Sequence, residues 1–156
     1  MTSTPLDRFD HAILRVLSTE GRISVTDLAR RIGLSKSPTQ ARLRRLEHAG
    51  VVAGYRALID PIVLGLDHVS FVEVSLSDTR EQALSEFNAQ VVLVPEIEQV
   101  HMIAGSFDYL LKVRTQSITD YRRVLAERIS TLPHVSKTST YVAMEAVKEM
   151  ADADMI

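Results

Sequence analysis

The segment VTDLARRIGLSKSPTQARLRRLEHAG, residues 25–50, decides the fold of the first part of this chain. Ser24 just before it and an aspartate three residues later form a capping-box pattern, which marks the start of a helix. Gly33 accepts the left-handed backbone of a tight turn, and a second helix then starts at Ser35 or at Ser37. Two short helices around a tight turn are typical of a helix-turn-helix DNA reader.

The second helix of this pair has an apolar side and a polar side. At 3.6 residues per turn, Thr39, Leu43 and Leu46 share the side that must face the core. The opposite side, flanked by Gln40 and Arg45, carries Ser37, Ala41, Arg44 and His48. Arginine binds guanine with two hydrogen bonds and glutamine pairs with adenine, so this side suits a major groove. An ordinary solvated helix with scattered basic residues is the alternative for this side taken alone.

Charge is distributed unevenly along the chain. Residues 1–60 hold 10 of the 18 Lys and Arg residues and 6 of the 20 Asp and Glu residues, a net charge of +4, while the remainder carries −6. A DNA-binding surface needs only local positive charge, and the basic part coincides with the helix pair. The acidic part is predicted to serve assembly or sensing and to stay away from DNA.

Several function classes are disfavoured by what the sequence lacks. No stretch approaches the roughly 20 apolar residues of a membrane span, and there is no cysteine for disulfides or thiolate metal sites. We therefore expect a cytoplasmic protein without membrane contact, metal or cofactor. Glu96 and Glu98 share one face of a strand, but no nucleophile with a base and no phosphate loop accompanies them, which disfavours an enzyme.

Around the helix pair, the sequence predicts a winged helix-turn-helix domain over residues 1–58. Asp7 is placed to cap a preceding helix, which makes three helices in succession. After the pair, Gly50 is followed by a strand-like stretch up to Leu58, which favours a small hairpin wing. Proline and glycine within residues 59–66 then mark a linker.

The second domain, residues 67–156, is predicted to have a ferredoxin-like fold. Its signals follow the order strand, helix, strand, strand, helix, strand, with the helices opened by Thr79 and by Ser117. The predicted strands are 68–76, 97–104, 109–114 and 135–142. A four-stranded sheet with helices on one side leaves its other side bare. Since apolar residues of the first strand point to both sides, we expect an identical sheet of a second subunit to cover the bare side.

Five blocks of the sequence together resemble one family. They are LDRFDHAILRVLSTEGRIS (6–24), LARRIGLSKSP (28–38), RLRRLEHAGVVAGY (42–55), EIEQVHMIAGSFDYLLKV (96–113) and STYVAMEAVK (139–148). In this order they are similar to the Lrp/AsnC family, the leucine-responsive or feast/famine regulators. The resemblance implies an α+β chain that joins a winged helix-turn-helix reader of double-stranded DNA to a ferredoxin-like βαββαβ domain for effector binding and assembly. It also implies homodimers, often octamers, that sense an amino acid.

The resemblance places the recognition helix at residues 35–45. Pro38 and the three arginines of this segment match the family pattern. Lys36, Thr39 and Gln40 are variable-looking positions and are expected to set the operator preference. The residues predicted to contact DNA are Ser35, Lys36, Ser37, Thr39, Gln40, Arg42, Arg44 and Arg45.

The resemblance also places an effector loop at GSFDYLL, residues 105–111. Backbone amides near Gly105 and Ser106 and the carboxylate of Asp108 suit the carboxylate and ammonium groups of an amino acid. The alternative is a plain hairpin in which Gly105 makes the turn and Asp108 caps it. Hydroxyls of the last strand offer a less direct extension of the pocket. The residues predicted to bind the effector are Gly105, Ser106, Phe107, Asp108, Tyr109, Thr138 and Thr140.

These features predict a transcriptional regulator in which an amino acid changes the assembly, and thereby the spacing of the DNA readers. An architectural DNA-binding protein that multimerises without a ligand is the alternative from a different class. The sequence leaves open which amino acid is sensed, which operator is bound, whether transcription is activated or repressed, and whether the assembly is a dimer or an octamer.

Overall fold

The protein is built from two compact units, seen in a computed structural model that describes residues 5–149. The division between them falls after Ile59, and the second unit extends to Val147. Residues 1–4 of the first predicted domain and residues 150–156 of the second lie outside the described residues.

In its described part, the first unit is a cluster of helices. These are α1 at Arg8–Thr19, α2 at Val25–Ile32 and α3 at Lys36–His48. Ile13, Leu28 and Leu46, one from each helix, are buried together and form the core of the unit. Asp7 caps α1 as predicted, and Ser24 caps α2 by accepting an N–H bond from the third residue of the helix. The helical period and the caps therefore account for the positions of these helices.

The hairpin wing predicted after α3 is not formed in this structure. Residues 51–67 contain no strand, and β structure begins only at His68. Gly54, in the middle of the predicted wing, lacks the positive φ that the tight hairpin turns require. Val52 packs against the helical core instead, which anchors the start of this segment without a strand partner.

Gly33 makes the turn between α2 and α3 with a φ of 73°. We expect Gly33→Ala to lower the free energy of unfolding by about 1–2 kcal/mol, because the left-handed conformation is unfavourable for any residue with a Cβ. An added Cβ would meet no atom within 4 Å, so the loss comes from the backbone alone. Urea unfolding measures it. Gly54→Ala is the control, since it has neither a positive φ nor a close neighbour; equal losses in both variants would contradict this account.

The second unit is an antiparallel sheet with helices on one side. Its elements are β1 at His68–Leu76, α4 at Glu81–Val91, β2 at Ile97–Met102, β3 at Tyr109–Thr115, α5 at Ile118–Val124 with a π-helical continuation at Leu125–Ile129, and β4 at Val135–Val142. The strand order is β2-β3-β1-β4, and each neighbouring pair is antiparallel. This is the predicted ferredoxin-like order of elements.

The core of the second unit lies between the sheet and its helices. Val72 and Leu111 are paired across β1 and β3 and are fully buried beneath Phe87 of α4 and Ile129. Successive side chains of a strand alternate between faces, so Phe71 lies on the opposite face of the sheet, where it is 37% exposed. The helices of this unit pack on the side of Val72 and leave the side of Phe71 bare.

Two helices differ in detail from the prediction. Helix α4 begins after Arg80 and not after Thr79, because the Asp78 carboxylate accepts the Arg80 N–H at 2.9 Å and delays the first helical residue. Ser117 caps α5 as predicted. The helix continues as the π-helical turn Leu125–Ile129, a departure from the regular 3.6-residue period. Val124 is buried, whereas Ile118, the first residue of α5, is 49% exposed.

Candidate DNA-reading helix and effector loop

The amino-terminal end of α3 is open to solvent. Of the two predicted starts, the structure has Ser35 as the residue before the helix, and its side chain makes no capping hydrogen bond. Ser35, Lys36 and Ser37 are all exposed. The first backbone N–H groups of the helix are therefore not occupied by a side-chain cap and suit an anionic partner such as a phosphate.

The outward face of α3 combines short residues with a strong hydrogen-bond donor. Ser37 and Arg44 are exposed on it, and Gln40 is half-buried at its edge. Lys36 and Arg44 make no ion pair with any residue between 5 and 149. Both cations therefore remain available to a partner outside the chain.

Thr39, predicted both to face the core and to contact DNA, does only the first. Its side chain is fully buried, and its hydroxyl donates to the carbonyl oxygen of Ser35 at 2.9 Å. A group enclosed in this way does not reach a base edge. The helical wheel already placed Thr39 on the apolar side, and that reasoning takes precedence over its position within the family's recognition helix.

Arg42 and Arg45, also predicted to contact DNA, are bound to α1 instead. Arg42 donates to Asp7 at 2.7 Å and to Asp10 at 3.0 Å, and Arg45 donates to Asp10 at 2.5 Å. Asp10 is fully buried. Burial raises the pKa of Asp10, but hydrogen bonds from Arg45, the Asp7 N–H and Arg42 outweigh it and hold that pKa at about 2. Asp10 is thus ionised at neutral pH and engages two of the arginines of α3.

Sequence reasoning missed this role of Asp10. The residue lies at the position of a capping-box acid, and the structure confirms that it accepts the Asp7 N–H at 3.0 Å. A capping pattern is local, however, and gives no information about side chains 32 or 35 residues further along the chain. Only the packing of α1 against α3 brings these groups together.

The loop between β2 and β3 is fixed at one end and open at the other. Asp108 donates its N–H to the Val74 carbonyl at 3.0 Å, and its carboxylate accepts the Leu76 N–H at 2.7 Å. Gly105 and Ser106 are exposed, and within the described residues their amides donate no hydrogen bond. Two unoccupied donors therefore lie close in sequence to a carboxylate held in place by β1.

The structure agrees with only one of the two features of the plain-hairpin alternative. Asp108 does cap a strand, as that alternative requires, through its bond to β1. Gly105, in contrast, does not have a positive φ, so the turn does not depend on glycine for its backbone conformation. An added Cβ there would contact the side chain of Ile103 at 3.4 Å. The absence of a side chain at Gly105 leaves its amide open.

The other residues predicted for the effector site are placed differently. Phe107 is half-buried beside the loop, whereas Tyr109 is buried in the core, where its ring lies 4.5 Å from that of Phe87. Thr140 bonds the hydroxyl of Tyr121 on the helix side of the sheet. Thr138, half-buried on the same strand, is opposite Val74 in β1. Since β1 lies between β3 and β4, the two threonines are not brought to the open amides.

The described residues offer neither a metal-binding cluster nor a membrane-spanning helix. No cluster of three or more His, Asp or Glu side chains between residues 5 and 149 is placed to hold a metal ion. In the same range, no helix has the length and apolar character required to cross a membrane.

An exposed basic helix in a helix-turn-helix, joined to a ferredoxin-like unit with an open loop, defines the class of ligand-binding DNA regulators. Comparison with known families makes this specific. The model for the Lrp/AsnC ligand binding domain matches residues 69–152, and a model for winged helix-turn-helix DNA-binding matches residues 6–53. The chain belongs to the Lrp/AsnC family of transcriptional regulators.

Similar proteins support this assignment over nearly the whole length. The chain is 59% identical over 144 residues to the proline dehydrogenase transcriptional activator of Rhizobium radiobacter, covering 92% of each. It is 43% identical to the leucine-responsive regulatory protein of Escherichia coli K12, covering 92% of this chain and 88% of that protein. A transcriptional regulator of Neisseria meningitidis, solved as a complex with L-methionine, has a TM-score of 0.87 at 30% identity, covering 93% and 94% of the two chains. The predicted family is confirmed, and so is the α+β fold class with a helix-turn-helix domain followed by a ferredoxin-like unit.

Proposed function

We propose that this transcriptional regulator reads its operator through the outward face of α3. The proposal rests mainly on one observation: Lys36 and Arg44 are exposed and make no ion pair within the described residues. The open first turn of α3 supplies backbone N–H groups for a phosphate. The residues proposed to contact DNA are Ser35, Lys36, Ser37, Gln40 and Arg44.

The proposed effector is an amino acid bound at the loop between β2 and β3. The amides of Gly105 and Ser106 would bind its carboxylate, and the carboxylate oxygen of Asp108 that does not accept the Leu76 N–H would bind its ammonium group. The 59% identical relative is named for proline dehydrogenase, and the structural relative holds L-methionine. L-Proline is therefore the first ligand to test, with leucine and methionine beside it.

The bare face of the sheet is the proposed dimer interface. Phe71 and Tyr141 are 37% and 54% exposed there, although both are large and aromatic. Burial of the exposed part of each side chain against a second copy is favourable, by less than the roughly 1.5–3 kcal/mol that burial of a fully exposed large apolar side chain contributes. Effector binding between dimers would then favour one assembly over another, which changes how the DNA readers are spaced.

We expect an amino acid to bind the wild-type protein with saturation and Asp108→Asn to bind it about tenfold more weakly or worse. Asparagine keeps an oxygen for the Leu76 N–H but loses the negative charge that faces the ammonium group. Calorimetric titration with a panel of amino acids measures the affinity, and light scattering on the same samples measures the assembly.

Asp78→Asn is the control for this titration, because Asp78 is an ion-paired surface acid of the same unit, bound to Arg80. It is expected to bind like the wild type. If no amino acid of the panel binds, the result would contradict amino-acid sensing and favour the architectural alternative. Equal weakening in both variants would contradict the role of Asp108 while leaving a ligand site elsewhere.

A further inference from the structure

The first turn of α1 carries two carboxylates that bind the recognition helix from the side. Arg42 is in contact with Asp7, with Asp10 and with the ring of Phe9, whose centroid lies 5.4 Å from the guanidinium carbon. Arg45 pairs with Asp10 and with no other acid between residues 5 and 149. One short turn of α1 therefore restrains two long cationic side chains of α3.

The two carboxylates are themselves held by the backbone of α1. Asp7 accepts the N–H groups of Phe9 and Asp10 at 2.8 and 3.0 Å, and Asp10 accepts the Asp7 N–H in return. This reciprocal capping box fixes both acids before any arginine binds. Since Asp10 is fully buried, its position varies little, and the pair acts as a rigid anion site for the guanidinium groups.

These ion pairs reduce the positive charge that α3 presents to a partner. The helix carries four Lys and Arg residues, and the two acids of α1 neutralise the pair formed by Arg42 and Arg45. Lys36 and Arg44 are left to act on DNA. The Arg45 side chain is still 40% exposed and flanks the outward face, so it would reach a nearby phosphate if it were released. Phosphates attract arginine regardless of the base sequence.

We propose that Asp7 and Asp10 are specificity-determining positioning residues, which hold Arg42 and Arg45 against α1 and thereby keep sequence-independent phosphate attraction low. The proposal rests on the DNA-reading role of α3. It explains why, among the described residues, a recognition helix rich in arginine presents one arginine, Arg44, without an acidic partner. Specific binding then depends on the outward residues, because the remaining positive charge is restrained in the free protein.

The test uses the full chain with Asp7→Asn and, separately, Asp10→Asn. Asparagine keeps an oxygen for the capping N–H bonds but holds a guanidinium group less strongly. Binding to a duplex of unrelated sequence is measured over a range of salt concentrations, and binding to an operator selected from random DNA by the wild-type protein is measured alongside. We expect about threefold or greater tightening on unrelated DNA at low salt, a log–log salt slope steeper by about 1, and a lower specific-to-nonspecific ratio.

Asp120→Asn is the matched control. Asp120 also lies in the first turn of a helix and pairs with an arginine, Arg123, at 3.1 Å, but in the second unit. The substitution changes the net charge by the same amount and is expected to leave the salt slope unchanged. A slope that steepens equally in the control would show a general charge effect and overturn the proposal.

Thermal unfolding followed by circular dichroism shows whether each variant is folded, so that a change in DNA binding can be assigned to the released arginines and not to unfolding. If Asp10→Asn does not fold, Asp7→Asn decides, because the Asp7 side chain is 47% exposed and makes only one of the three arginine contacts. An unchanged slope in a folded variant, or parallel weakening on both DNAs, would overturn the proposal. Failure of the wild type to select any operator would contradict the reading role of α3, and the slope on unrelated DNA would still test the restraint.

Discussion

Phe71→Asp is expected to convert the protein from an assembled form to monomers, with a loss of self-affinity of about a hundredfold or more. Phe71 lies on the bare face of the sheet beside Tyr141, and an aspartate there would have to lose its hydration within the proposed dimer interface. Multi-angle light scattering over a series of protein concentrations measures the mass. The core on the other side of the sheet is not touched by the substitution, so the secondary structure should persist.

Phe71→Leu is the control for this experiment, because it keeps an apolar side chain at the same position. It should retain the wild-type mass. Tyr141→Asp, on the neighbouring strand β4, is paired with Phe71 in register and should reproduce the dissociation. If both aspartate variants remain assembled with wild-type mass, the dimer does not use this face, and the exposed aromatic residues need another explanation.

Apart from the hairpin wing, the order and type of the elements followed from the sequence because the signals are local. Asp7, Ser24 and Ser117 cap helices as expected, since a short polar side chain satisfies the first N–H groups wherever the helix packs. The alternation in β1 places Val72 and Phe71 on opposite faces by geometry alone. Such features depend on neighbours within a few residues.

The candidate site was less predictable because it depends on tertiary packing. A helical wheel gives the face on which Arg42 and Arg45 lie. Their pairing with Asp10 also requires the first turn of α1 to pack beside these two residues of α3, which the wheel does not show. The burial of Tyr109 beneath α4 and the bond of Thr140 to Tyr121 likewise arise from the packing of helices on the sheet. Tyr109 directly follows Asp108 in sequence but is buried in the core, and Thr140, expected as an extension of the pocket, lies on β4, which β1 separates from β3.

Arg44→Ala is expected to weaken operator binding by roughly ten- to a hundredfold while changing affinity for unrelated DNA far less. The physical reason is that a base-reading arginine contributes about 1–3 kcal/mol of discrimination, which a phosphate contact does not. Arg44 is exposed on the outward face of α3 and is bound by no acid of the described chain, so its substitution disturbs no intramolecular pair. Competition binding with the selected operator and a scrambled duplex measures both affinities.

Arg45→Ala provides the contrast, because these two arginines are adjacent in sequence but differ in what they bind. Removal of Arg45 leaves the buried Asp10 with Arg42 as its one cationic partner within the described residues, which should lower the melting temperature. Operator affinity of the folded protein should fall little, since Arg45 is directed to α1. A reversed result, with Arg45→Ala losing operator binding and Arg44→Ala retaining it, would mean that the ion pairs to Asp10 open on DNA. Arg45, and not Arg44, would then be the base-reading residue of α3.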